Sequence, residues 1–452
     1  MSRRSLRVAL CVACVASTVA FAGEPTKLEP FQPGAAGAAL VDAAQFDSLQ
    51  KAFDALPEGG GKVVIPPGRH EITEPLVVRK GDVMIEGGGT STNIVNRNEE
   101  GKPALVVEPP EGVERLWRVQ VCDLRITGNP KSGAGLILKN VDEVLVSRVA
   151  VEHNGGDGAI LDYCYEDPRV SDSLFNYNKG TGLNVLRCHD IIVSANQFEE
   201  NMDAVHCIDG YNLTMTGNNV DDHLGNGVVV ENTYGSIIAS NMIEECNGHG
   251  VVLRGACYGD AISANTIADC QTNGVRLEGV RDITISANTF VLEAQEAIVA
   301  TGGACQLTIT GNTFNRYSFD TTKRHKLMPA QGILLEGAHD VTVSGNTFTY
   351  MLKEAIRATG DANKRLNITG NTILNASAEN PGKYDAVYLA NLSDSIIAHN
   401  IIADDQGKRT MRKAMVFEGT CTSNLVESNM IRGEGKPRVP GKGNVVRGNV
   451  VR

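Results

Sequence analysis

Val193-Ser194-Ala195-Asn196, Met215-Thr216-Gly217-Asn218, Ile285-Ser286-Ala287-Asn288 and Ile309-Thr310-Gly311-Asn312 repeat one short phrase, and Val343-Ser344-Gly345-Asn346 and Ile368-Thr369-Gly370-Asn371 continue it. The punctuating Asn falls at 129, 154, 178, 196, 218, 241, 265, 288, 312, 346, 371, 400, 429 and 449, a mean spacing close to 25 residues. Such self-similarity marks a repeat architecture. The residues before each Asn are β-branched and alternate with period two, which predicts strands, and no segment carries a 3.6-residue helical period through the repeats. Each repeat therefore reads as one coil of a parallel β-solenoid.

A second strand lies between successive Asn: Gly227-Val228-Val229-Val230, Gly250-Val251-Val252-Leu253, Gly274-Val275-Arg276-Leu277, Gly332-Ile333-Leu334-Leu335 and Ala386-Val387-Tyr388-Leu389. Counting from its Gly or Ala, offsets +1 and +3 are apolar and offsets +2 and +4 vary. Alternation places the first set inside the tube and the second outside. Stacked Asn amides at a turn satisfy one another and the backbone freed there, so the recurrent Asn is structural.

Residues 42–56 differ. Phe46, Leu49, Phe53 and Leu56 follow helical spacing until Pro57 and Gly59-Gly60-Gly61 stop them, so a capping α-helix is expected within 42–60. A solenoid end is an open sheet edge, and an amphipathic helix covers it. This helix, with Gly59-Gly60-Gly61-Lys62-Val63-Val64-Ile65-Pro66-Pro67-Gly68 and the later Gly87-Gly88-Gly89, resembles the N-terminus of right-handed parallel β-helix proteins of the pectate-lyase superfamily. The resemblance spans about residues 40–450. It implies an all-β fold: one right-handed parallel β-helix of roughly 14–16 coils over 42–452. The family holds pectin and alginate lyases, polygalacturonases, uronate epimerases and non-catalytic surface proteins.

The start of the chain reads as a signal peptide over 1–22: Arg3, Arg4 and Arg7, an apolar run from Val8 to Val19, then Ala20-Phe21-Ala22 as the cleavage signal. A linker follows at 23–41. A secreted or periplasmic protein is expected, with no membrane span, since no later apolar run reaches the length of one. The whole chain carries 42 Lys+Arg and 53 Asp+Glu, net -11, which argues against a nucleic-acid partner. The charge is uneven. Residues 23–312 hold 20 basic and 40 acidic residues, whereas 313–452 hold 19 and 13.

Three columns of the repeat offer chemistry. The position before each Gly or Ala is polar in every coil and includes Asp203 and His249; it also suits plain turn chemistry. Together with outward His206, Arg254 and Arg276, these form the candidate catalytic set. The second column holds Glu199-Glu200, Asp221-Asp222 and Glu244-Glu245. Three acidic pairs in register repel unless a cation intervenes, so Glu200, Asp222 and Glu245 are candidate Ca²⁺ ligands, with splaying into water the alternative. The third is a loop edge, longest at 315–330, whose Arg316, Lys323 and Arg324, with outward Arg357 and Tyr388, suit a carboxylated or sulfated glycan.

Proton abstraction next to a carboxylate needs a base and a cation, and the set supplies both. The expected function is a polysaccharide lyase on an acidic, uronate-containing or sulfated polysaccharide, acting by β-elimination. The alternatives are a polygalacturonase-like hydrolase and a non-catalytic glycan-binding or surface-structural solenoid. Polygalacturonases carry N-T-D, D-D, G-H-G and R-I-K. This chain is similar at Asn201-Met202-Asp203, Asp221-Asp222, Gly248-His249-Gly250 and Arg276-Leu277-Glu278, but the acidic pair lies early and Glu278 replaces Lys. Asp167-Pro168-Arg169 stands where alginate epimerases carry D-P-H. His153, His189 and His223 read as surface or turn residues. Cys246 and Cys270 share a column one coil apart, which fits either a disulfide or stacked thiols.

Overall fold

The computed structural model describes residues 39–315, 330–361, 363–433 and 435–452. The signal peptide, most of the linker, and Arg316, Lys323 and Arg324 of the inserted loop lie outside the described residues. The described chain is an all-β parallel solenoid of about 16 coils. One coil illustrates the rest. Val205–Ile208 joins a fourteen-stranded sheet, and Thr214–Thr216 and Asn219–Asp221 then join a larger sheet that forms the other walls. The next coil returns as Val228–Glu231, with Val205 opposite Val228 and His206 opposite Val229.

The repeated phrase now has a local cause. The residue before each ladder Asn takes the left-handed conformation that turns the corner: Ala195, Ser240, Ala264 and Ala287 at φ 55–57°, Gly217 and Gly311 at φ 67° and 64°. Small residues and Gly carry that strain most cheaply. The Asn that follows is buried and fully bonded. Asn241 Nδ2 donates to Asn265 Oδ1 at 3.0 Å and to Met215 O at 3.1 Å, while Asn241 N–H donates to the same Asn265 Oδ1.

Among the described residues the punctuating Asn from 154 to 449 divide between two ladders, where the sequence reading merged them into one. The long ladder runs from Asn196 to Asn449. Asn154 and Asn178 belong to a second, with Asn201, and its next rung is His223. His223 is therefore not a surface residue. It is fully buried, accepts from Asn201 N–H through Nδ1, and burial lowers its pKa to about 4.

Inside the tube, offsets +1 and +3 form the core as expected, and phenylalanines stack coil on coil. Phe314 lies 4.9 Å from Phe290 and 4.4 Å from Phe348 between ring centroids. The capping helix is present but short. Ala43–Gln45 is a 3₁₀ turn, and α1 spans Leu49–Asp54, capped by the Ser48 hydroxyl, with Leu49 and Phe53 facing the core. All nine cysteines after residue 22 are free, and Cys246 and Cys270 are buried, stacked thiols.

Candidate functional site

The fourteen-stranded sheet presents two outward rows along the solenoid axis. His206, Val229, Val252 and Arg276 are successive register partners, and Arg357 and Tyr388 continue the same row further along. Beside it run Ile208, Glu231, Arg254 and Glu278. Strands rise by about 4.8 Å each, so His206 and Arg276 stand about 14 Å apart. The structure thus brings His206, Arg254 and Arg276 onto one face, as the alternation required.

The three arginines named on this face are already paired. Arg254 Nε donates to Glu231 Oε2 at 2.8 Å, and Arg276 Nε donates to Glu278 Oε1 at 2.5 Å. Arg357 bonds Glu354 at 2.8 Å and lies 4.6 Å over the Tyr388 ring, whose hydroxyl donates to Glu418 at 2.5 Å. His206 is the exception. Its Nε2 is buried and without a hydrogen-bond partner, 3.9 Å from Glu231 Oε2. Burial lowers its pKa, Asp203 and Glu231 opposing and Arg254 reinforcing, so the ring is neutral near pH 7.

Asp203 and His249 line the strand-entry edge and serve the turn there. Asp203 Oδ1 accepts from Asn226 N–H at 2.5 Å and from Asn226 Nδ2 at 3.2 Å. Asn226 Oδ1 accepts from His249 N–H at 3.0 Å. His249 Nδ1 accepts from Asn273 N–H at 3.3 Å and lies 2.7 Å from the Thr272 hydroxyl. An acceptor Nδ1 leaves the proton of the neutral ring on Nε2, and burial, aided by Arg276, keeps the ring neutral. His249 so held is a donor rather than a base.

The acidic column sits elsewhere. Glu199, Asp221 and Glu244 are register partners on the larger sheet. Glu200, Asp222 and Glu245 follow them at φ 48°, 54° and 52°. Asp221 and Glu244 have raised pKa values, from burial first and then from neighbouring acids. Asp221 is thus on a different sheet from His206, and Asp222 lies in the turn that follows it. Among the described residues, only Glu86, Cys122 and Asp123 bring three His, Cys or carboxylate ligand atoms within 4.8 Å of one another.

One exposed feature went unread in the sequence. Tyr165, His189, Tyr211, Tyr234 and Tyr258 form an aromatic column just beyond the outward rows, with Arg281 as its next rung. Tyr234 and Tyr258 lie 4.8 Å apart, and guanidinium groups cover both ends: Arg115 over Tyr165 at 4.9 Å and Arg281 over Tyr258 at 4.6 Å. The signal was an aromatic three residues past the outward +4 position in consecutive coils, Tyr211 after Ile208 and Tyr234 after Glu231.

Two family models match the chain. One, described as periplasmic copper-binding protein (NosD), matches residues 122–327, and one described as right handed beta helix region matches 321–450. Among solved structures, tailspike protein 3 of bacteriophage CBA120 is similar at a TM-score of 0.54 and 14% identity, over 71% of this chain and 59% of that one. ORF18 of Geobacillus virus E2 is similar at 0.47 and 16% identity, over 61% and 57%. This chain thus spans under three fifths of either viral protein. The A-module of mannuronan C-5 epimerase AlgE6 from Azotobacter vinelandii is similar at 0.40 and 16% identity, over 91% and 99%. No curated protein matches by sequence. The first of these likenesses agrees with the fold.

Copper sites are built chiefly from deprotonated thiolate, thioether and neutral imidazole. The Glu86–Cys122–Asp123 group does not fit. Glu86 is paired with Lys62, Asp123 is held by two bonds from Arg148 at 2.8 and 2.6 Å, and burial pushes the Cys122 thiol up to about 11.

Proposed function

We propose that this right-handed parallel β-helix is an exported protein acting on a linear polysaccharide laid along the outer face of its fourteen-stranded sheet, by proton abstraction and β-elimination. The observation that carries the reading is the buried, unpartnered Nε2 of His206 on the face where Arg254 and Arg276 are held by Glu231 and Glu278. An unmade hydrogen bond on a buried nitrogen costs about 1–3 kcal/mol, and a substrate proton would recover it. Export rests on the charged-then-apolar start of the sequence and on the periplasmic description of the family matched over 122–327.

In this reading His206 takes the proton on the carbon α to a uronate carboxylate. The freed electron pair forms the ring double bond, the adjacent glycosidic C–O bond breaks, and the leaving oxygen takes a proton from water. Arg254 and Arg276 turn from Glu231 and Glu278 toward the substrate carboxylate as its negative charge spreads. His249, donating through Nε2, orients a sugar hydroxyl. Incubating the purified protein with pectate, alginate or a glycosaminoglycan should raise unsaturated-uronate absorbance; no rise on any of them, with or without Ca²⁺, would sink the lyase reading.

One arrangement favours a second reading. Glu231 and Glu278 stand two strand spacings apart with Arg254 between, roughly 9.6 Å, near the separation of an inverting glycosidase pair. Release of reducing ends without the absorbance would select it.

A further inference from the structure

The last coil breaks the repeat. Met415–Glu418 pairs in register with Val387–Ala390 and ends the fourteen-stranded sheet. After Met430–Arg432 the chain forms no strand over the described residues from Gly435 to Pro440. Pro437 and Pro440 carry no N–H to join a ladder, and Gly435 turns at φ 83°. Val439 nevertheless packs on the core and pins the segment. Where a fifteenth strand would lie there is a cavity of about 570 Å³, walled by Lys413 and Met415–Phe417 on one side and by Gly435, Lys436 and Arg438 on the other.

Three cations face this space, and none has an acidic partner among the described residues. The backbone adds a donor. Val387 N–H donates to Ala414 O in the next coil at 3.0 Å. Met415, its register partner, therefore directs its N–H at the cavity. Converging cations repel, and an unpaired strand N–H at a sheet edge wants an acceptor. A single oxyanion answers both, because carboxylate and sulfate oxygens accept from ammonium, guanidinium and backbone N–H together.

We propose that this cavity is an oxyanion site for a carboxylate or sulfate group. It lies six strand positions beyond Arg276, about 29 Å along the axis, and needs no chemistry at His206. Its occupant is a free small anion or the acid group of a polymer.

Isothermal titration of the full chain at low salt, with sodium sulfate and separately with trigalacturonate, tests the site. Saturable binding is expected, weakened at least tenfold in Lys436→Ala/Arg438→Ala and unchanged in Lys51→Ala, an exposed cation on the capping helix. A Lys413→Gln variant, also weakened, serves if the double variant melts early. Tighter binding of trigalacturonate assigns the site to a polymer, and equal affinity assigns it to a small anion. No saturable binding of either probe, or binding undiminished in the folded variants, overturns the proposal. Lyase activity is scored separately, so failure of either idea leaves the other standing.

Discussion

His206 Nε2 stands 3.9 Å from Glu231 Oε2, beyond hydrogen-bond reach, whereas His249 Nδ1 is engaged by Asn273 N–H and the Thr272 hydroxyl. The two histidines of the candidate set are thus unequal. His206→Gln should lower lyase turnover about 10²–10⁴-fold, the usual worth of a general base. His249→Gln should cost far less turnover and lower the melting temperature instead. Equal losses of turnover in both variants would refute the assignment.

The acid limb of the activity profile should follow His206. Burial favours its neutral form, so the base stays available below the ordinary 6.5. Turnover should therefore fall only at a pH under that value. An acid limb centred above 6.5 would exclude His206 as the base.

Asp260 supplies a separate pH test. It is buried, accepts from Ser236 N–H at 2.6 Å and leaves Oδ2 without a partner. Burial raises its pKa from 3.8 to about 6, the Ser236 bonds opposing. A raised folded pKa means stability present below the unfolded value and lost as pH climbs through about 6, to a limit of about 3 kcal/mol. Asp260→Asn keeps the accepting oxygen and should raise the urea midpoint at about pH 8. That advantage should vanish by about pH 4, and a gain that persists there would refute the account.

The aromatic column should be a measurable brace. Tyr258 is sandwiched between Tyr234 at 4.8 Å and the Arg281 guanidinium at 4.6 Å. Arg281→Ala should cost about 0.5–1 kcal/mol, and Tyr234→Ala about 1 kcal/mol, by denaturant titration. A double variant losing the full sum would mean that the rungs act independently, against a stacked column.

For the acidic column, we expect Ca²⁺ to raise the melting temperature by relieving the repulsion along Glu199, Asp221 and Glu244 and the neighbouring Glu200, Asp222 and Glu245. Asp221→Asn should give part of the same gain without the ion, about 0.2–1 kcal/mol. Raised carboxyl pKa values destabilise as pH rises through them, so the gain belongs to neutral pH and fades in acid. A Ca²⁺ response absent in the parent and variant alike would leave the column as solvated acids.

Fold and site differed in how far the sequence revealed them. The small residue, Asn and period-two alternation are local, so coil, core and outward rows followed directly, and His206, Arg254 and Arg276 met on one face. The merged Asn ladders came from treating identical residues as identical places, although the 18-residue step from Asn178 to Asn196 broke the period. The duties of Asp203 and His249 depend on which backbone N–H each meets one coil away. That is a property of corner geometry rather than residue type. The aromatic column escaped because His189 and Arg281 interrupt its tyrosines, and stacking tolerates such exchanges.

The cysteines have a consequence of their own. Cys122, Cys164, Cys188, Cys207, Cys246, Cys257, Cys270 and Cys421 are buried, spread from the early coils to the late ones. A thiol reagent reaches each only when its own stretch of tube opens. Cleavage and mass spectrometry after timed labelling would therefore rank the coils by how often they breathe. The chain carries, in its native sequence, a set of clocks distributed along its length.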